Sequence, residues 1–177
     1  FGLELVDAAS VAREAEFKVF RQALESSGRV KGLNAKGCGS FSRKEIDDLT
    51  EEAKKFGAKG LAWMKVTPDG LESAIVKFFT PGQQAEIRRL LSAEPGDLLV
   101  FVADAEAVVH EALGRIRLRI GEGRGLIPAD RTDLLWVVDF PLLEWDGEEK
   151  RYVAMHHPFT APMDEDLPLL EADPLKV

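Results

Sequence analysis

Glu94-Pro-Gly-Asp-Leu-Leu-Val-Phe-Val-Ala-Asp104 decides the fold. Pro95 and Gly96 stop whatever helix precedes them, and Leu98 to Ala103 is a short apolar run with β-branched content, so it predicts a buried strand. Asp104 then stands where a helix cap would, ahead of an inner face of Ala105, Val108, Val109, Ala112 and Ile116. Gly121 to Gly125 ends that helix. Moving upstream, Thr80-Pro81 opens a helix with Thr as cap and Pro in the first turn. Its apolar face is Ile87, Leu90 and Leu91. Before it, Leu61 to Val66 reads as a strand, Thr67-Pro-Asp-Gly70 as a type I turn, and Leu71 to Phe79 as the returning strand.

Further upstream, Ser42-Arg-Lys-Glu45 has capping-box spacing, with Phe41 and Ile46 at the hydrophobic-staple positions. Ile46, Leu49, Ala53 and Phe56 step along one helix face, and Gly57 can end the helix in the left-handed conformation. The opposite face, rich in Asp, Glu and Lys, reads as solvated surface. Phe17 to Leu24 fits a helix stripe or a strand; a hairpin with Arg29 to Asn34 around Ser26–Gly28 is the favoured reading. Residues 1–16 are weakly patterned. Hairpins alternating with amphipathic helices predict an α+β fold: a two-layer α/β sandwich, with helices on one face of a mostly antiparallel sheet.

After about residue 130 the character changes. Leu135 to Phe140 reads as a strand, Leu142 to Glu149 as a loop, and Arg151 to His157 as a second strand antiparallel to the first. The charge shifts too. The 177 residues carry a net −8, of which −6 lies between Glu144 and Val177. Such a chain is not a nucleic-acid clamp held by bulk positive charge. With 45% hydrophobic and 31% charged residues, it is neither disordered nor a disulfide scaffold. The single Cys38 fits a reducing compartment, and a cytoplasmic location is expected. No apolar run approaches the ~20 residues of a membrane helix. The chain begins at Phe1, not Met, and is read as a piece of something longer.

Chemistry-bearing candidates are few. His156 and His157 are adjacent in a predicted strand, so their side chains point to opposite faces and do not share one metal ion. They read either as structural residues or as imidazole donors to a small anionic ligand. Arg115, Arg117, Arg119 and Arg124 form a basic cluster. It reads either as cations favoured at a helix C-terminus or as phosphate contacts to nucleic acid. Asp139, in an apolar run, needs a partner if buried. Gly37-Cys38-Gly39-Ser40 lacks the Lys-Ser/Thr of a phosphate loop, and Cys38 has no base near it in sequence.

Two blocks carry a resemblance. Trp136-Val-Val-Asp-Phe-Pro-Leu-Leu-Glu-Trp145, followed by Met155-His-His-Pro-Phe-Thr-Ala-Pro162, resembles the catalytic core of the bacterial-type aspartyl-tRNA synthetases, a class II family. Gly28–Asn34, Ser42–Ile46, Phe56–Trp63, Ile75–Phe79, Pro95–Asp104 and Ala112–Leu118 resemble that family's insertion, the GAD domain. The same domain is found in subunits of tRNA-dependent amidotransferases. The resemblance implies residues 1–16 as a connector, 17–125 as a GAD-like insertion, and 126–177 as a fragment of the class II core.

It further implies a parent enzyme that activates L-aspartate with ATP and Mg²⁺ and charges tRNA(Asp), with tRNA(Asn) a second possible acceptor. The parent is expected to be a cytoplasmic homodimer without a membrane partner. His156 and His157 become aspartate- or adenylate-binding candidates. Arg115, Arg119 and Arg124 become candidate tRNA contacts. No metal ligand and no complete catalytic set is expected in this segment, which alone should be inactive, because the family's ATP-binding arginines, Mg²⁺ ligands and anticodon-binding barrel are missing. The alternative is a GAD domain serving an amidotransferase subunit as a tRNA-binding module. It accounts for 17–125 but not for Trp136–Pro141 or the His-His block.

Overall fold

The capping box at Ser42 forms as its spacing predicts. The Ser42 hydroxyl accepts from the Glu45 amide at 3.3 Å, and the Glu45 carboxylate accepts from the Ser42 amide at 2.7 Å. The Ser42 hydroxyl also donates to the Glu45 carboxylate at 2.7 Å, and this bond, with that from the Ser42 amide, holds the Glu45 carboxyl below the usual carboxylate range. Thr80 makes the same reciprocal pair with Gln83, with Pro81 in the first turn.

The computed structural model describes residues 2–138, 140–155 and 161–177. The chain divides into two compact units, Phe1–Ala129 and Asp130–Val177. The first runs β1 (Leu5–Asp7), α1 (Ala9–Glu14), α2 (Lys18–Glu25), β2 (Arg29–Ala35), α3 (Arg43–Lys55), β3 (Ala62–Thr67), β4 (Gly70–Glu72), α4 (Pro81–Leu90), β5 (Leu98–Asp104) and α5 (Glu106–Gly123). Its five strands form one sheet in the order β1-β2-β5-β3-β4, every neighbouring pair antiparallel.

An α+β fold with an antiparallel sheet is what the sequence predicts; two layers is not what forms. Leu98, Val100 and Val102 of β5 face α3 and α5, in a core with Leu33, Leu49 and Ile116. Leu99 and Phe101 face the other way, into a second core with Phe20, Met64 and Ile87, covered by α1, α2 and α4. The sheet is therefore helix-covered on both faces. β5 has buried apolar side chains at both parities, and a central strand of that kind needs cover on both sides.

Other expectations are corrected as well. Phe17–Leu24 is not a strand. It enters helix α2, which turns Phe20 inward and leaves Val19 at 50% exposure. The reason is an aromatic cluster: Phe20 lies 4.9 Å from Phe17, 6.1 Å from Phe79 and 5.8 Å from Phe101, between ring centroids. The same cluster shortens β4. The chain leaves β3 after Glu72 and makes a 3-10 turn at Val76–Phe78, which stacks Phe78 on Phe17 at 5.6 Å. Residues 1–16, expected as a connector, include the edge strand β1, paired to β2, and α1 with Val11 and Ala12 buried. Asp104 does not cap α5: its carboxylate accepts from the Ala105 amide at 2.9 Å, and the cap position is Ala105 with no side-chain bond.

The second unit holds an antiparallel pair whose second strand begins at Arg151 as expected, while the first forms at Leu143–Asp146, where a loop was expected, and not at Leu135–Phe140. β6 (Leu143–Asp146) pairs with β7 (Arg151–Ala154), aligning Trp145 with Tyr152 at 5.1 Å between rings. The Asp146 carboxylate closes the turn by accepting from the Glu148 and Glu149 amides. A short helix α6 (Leu169–Ala172) follows. Residues 134–138 have no regular structure, and Leu134 and Trp136 are 94% and 93% exposed. A strand needs a neighbour for its backbone groups, and this run has none among the described residues.

Candidate functional site

Two places on the first unit bring polar chemistry together. The first is α5. Its arginines point to different sides, because positions four apart share a helix face and positions two apart do not. Arg115 bonds Glu111 at 2.8 Å and lies over the Phe56 ring at 4.9 Å. Arg119 donates to the Asp48 carbonyl at 3.1 Å and meets the Glu52 carboxylate at 3.4 Å. Both thus line the α3 side. Arg117 turns away and donates to the Leu3 carbonyl. Arg124 sits at the C-cap of α5, close to Gly37.

The second is a buried node at the start of β5. Asn34 and Asp97 are the buried polar residues of the described chain. The Asn34 side-chain amide donates to Asp97 at 3.0 Å and to the Leu91 carbonyl at 3.1 Å. Asp97 also accepts from the Gly37 amide at 2.9 Å and from the Glu94 amide at 3.0 Å. Burial pushes the Asp97 carboxyl up. The Glu94 and Gly37 amides, the Asn34 amide and the Lys36 charge outweigh it and hold the group below its ordinary value. Sequence reasoning passed over this node because its members are far apart in the chain. Next to it, burial pushes the fully covered Cys38 thiol up, against the nearby Arg124 charge. That combination describes a structural cysteine, not a nucleophile.

The sequence-predicted substrate contacts His156 and His157, and Asp139, lie outside the described residues. Among the described residues no group of three or more His, Cys, Asp and Glu side chains is placed to hold a metal ion, and no helix is long and apolar enough to cross a membrane.

This helix-covered antiparallel sheet is a GAD domain. The chain belongs to that family, whose match spans residues 20–113. More particularly, the chain is similar over its length to aspartate–tRNA ligases. It is 55% identical to the aspartate–tRNA(Asp/Asn) ligase of Geotalea uraniireducens (strain Rf4), over 98% of this chain and 29% of that protein. It is 52% identical to the aspartate–tRNA(Asp/Asn) ligase of Moorella thermoacetica (strain ATCC 39073 / JCM 9320), and 52% to the aspartate–tRNA ligase of Geobacillus kaustophilus (strain HTA426), over 100% of this chain and 30% of each. The chain spans about three-tenths of the length of these curated relatives. Their similarity covers the stretch after residue 125 that the amidotransferase alternative leaves unexplained.

Proposed function

We propose that the chain is part of an aspartate–tRNA ligase, in which residues 17–125 are the GAD-like insertion and residues 126–177 a fragment of the class II catalytic core. The observation that carries this reading is similarity to such ligases along the whole chain, at 52–55% identity in the three relatives named. The parent activates L-aspartate with ATP and transfers it to tRNA(Asp); two of these relatives bear names that add tRNA(Asn) as an acceptor. Mg²⁺ and the ATP phosphates are handled by residues outside this segment. The parent works as a cytoplasmic homodimer. Aspartate-dependent ATP–pyrophosphate exchange by the full-length enzyme, absent from the isolated segment, tests the reading. A parent without that exchange overturns it.

Within this reading His156 and His157 hold the aspartyl-adenylate by hydrogen bonds. His156→Ala and His157→Ala in the full enzyme should each weaken adenylate formation by about 1–3 kcal/mol, the size of a lost charge-assisted bond. Wild-type exchange in both variants removes them from the site.

Arg115, Arg119 and Arg124 position the tRNA backbone without reading sequence. The ion pairs of Arg115 and Arg119 are at the surface. Such pairs are worth about 0–1 kcal/mol, so a phosphate can replace the carboxylate. Replacing Arg115 and Arg119 by Ala should raise the KM for tRNA and flatten its salt dependence, with adenylate formation unchanged. An unchanged KM at low salt leaves both arginines with a structural role on α3.

A further inference from the structure

We propose that the open edge of β3 is a docking groove for an extended peptide of alternating apolar and acidic residues. β4 covers β3 only at Lys65, Val66 and Thr67. On its other side β3 pairs with β5 from Ala62 to Lys65. Backbone groups of an antiparallel strand alternate between its two sides. Val66 exchanges its bonds with Gly96 and Asp97, on the β5 side. By that alternation the Trp63 amide and carbonyl face the open side, where they meet no backbone partner among the described residues. A cleft of about 470 Å³ runs along this edge, floored by Lys59 to Trp63.

The two walls of the cleft come from opposite faces of the sheet and differ in chemistry. On the α2 face stand Phe17, Phe20 and Ile75, members of the aromatic core. On the α3 face stand Trp63, Arg43 and Lys59. The Arg43 guanidinium lies 5.9 Å from the Trp63 ring centroid. The Arg43 side chain is 74% exposed in a surface pair with Asp47 at 2.9 Å, a pair weak enough for an incoming carboxylate to share or displace. The Lys59 side chain is 87% exposed and reaches Asp104 only at 3.7 Å. Asp104 shares the face of Val100 and Val102 by strand alternation, which places Lys59 on that side too.

A strand added beside β3 sends successive side chains to opposite faces. One set enters the aromatic wall, and the other meets two cations. An unpartnered main-chain donor and acceptor, an apolar wall and a cationic wall are satisfied together by an extended, alternately apolar and acidic polypeptide. This is recognition by strand addition, with main-chain bonds giving affinity and alternate side chains giving specificity. The proposal stands independently of the ligase reading.

The test is an amide-resolved NMR titration of the 177-residue chain with a short end-blocked peptide of alternating valine and glutamate. Saturable shifts at Lys59 to Trp63, with exchange protection gained at the Trp63 amide, are expected. A peptide N-methylated along its bonding edge should bind about tenfold more weakly, as should a valine–lysine peptide. The chain carrying Lys59→Glu and Arg43→Glu should reverse that preference. If that variant does not fold, the methylated peptide still decides, since it leaves the protein untouched. No shift along the groove at millimolar peptide overturns the proposal, as does binding indifferent to methylation. Displacement of the peptide by polyuridylate overturns it in favour of RNA. Concentration-dependent shifts at Trp63 without peptide overturn it in favour of a second copy of the chain.

Discussion

Replacing Phe101 by alanine is expected to lower the free energy of unfolding by about 3–5 kcal/mol, the range for emptying a large aromatic site in a packed core. Phe101 is 1% exposed, on the central strand of the sheet. It meets the Phe20 ring at 5.8 Å and pairs across β2 with Gly32. The absent side chain at Gly32 is part of the fit: a Cβ there would come within 2.7 Å of the Phe101 ring. Removing the ring leaves a void that Gly32 cannot fill and loosens the aromatic cluster that holds α2 and the Val76–Phe78 turn. Domains of this size hold only about 5–15 kcal/mol in total, so the variant should lose much of its urea resistance. Equilibrium urea unfolding followed by circular dichroism measures this. A loss under about 1 kcal/mol would mean the cluster does not organise the second core.

Replacing Asp97 by alanine should cost about 2–4 kcal/mol, because it strands two backbone amides that a buried carboxylate now satisfies and takes one of several acceptors from the Asn34 side chain. The Gly37 and Glu94 amides and the Asn34 side chain would each lose that acceptor. The linkage with pH has a definite sign. The folded-state carboxyl lies below its ordinary value, so its stabilisation is fully present above the unfolded value of about 3.9. It is lost as pH falls from there through the lower folded value. Asp97→Asn should therefore flatten the loss of stability below about pH 4. Urea midpoints measured across that range check it. Parallel acid profiles for wild type and variant would remove Asp97 from the groups that link folding to pH.

How much of this was legible beforehand follows from the range of each signal. The Ser42–Glu45 box, the Thr80-Pro81 helix start, the Thr67–Gly70 turn and the end of α3 at Gly57 were all readable. Each is completed by residues within about one turn of one another, by hydrogen bonds the segment makes with itself. The β5 strand was readable from its own apolar run after the Pro95-Gly96 break, although its backbone bonds go to the distant β2 and β3. Leu98, Leu99, Val100 and Phe101 are apolar at both parities and require helices on both faces, a feature that the two-layer expectation leaves unmet. Of the candidate tRNA contacts, the shared face of Arg115 and Arg119 followed from their spacing. Their ion partners on α3 did not.

The sequence by itself determined the α+β class, the caps of α3 and α4, the Thr67–Gly70 turn, the helices α3, α4 and α5 and the kinship with GAD domains, because these rest on local pattern and on motif blocks that survive without coordinates. Tertiary structure decided the rest. Phe17 to Leu24 satisfied helix and strand periodicity alike until Phe79 and Phe101 supplied the rings that fix Phe20. The Asn34–Asp97 bond joins residues 63 positions apart, and no local spacing announces a partner so distant. The open edge of β3 exists only because β4 leaves after three residues to complete that aromatic cluster. Chain-distant partners win in these places because burying an aromatic ring or satisfying a buried carboxylate is worth several times the few tenths of a kcal/mol by which local propensity separates helix from strand.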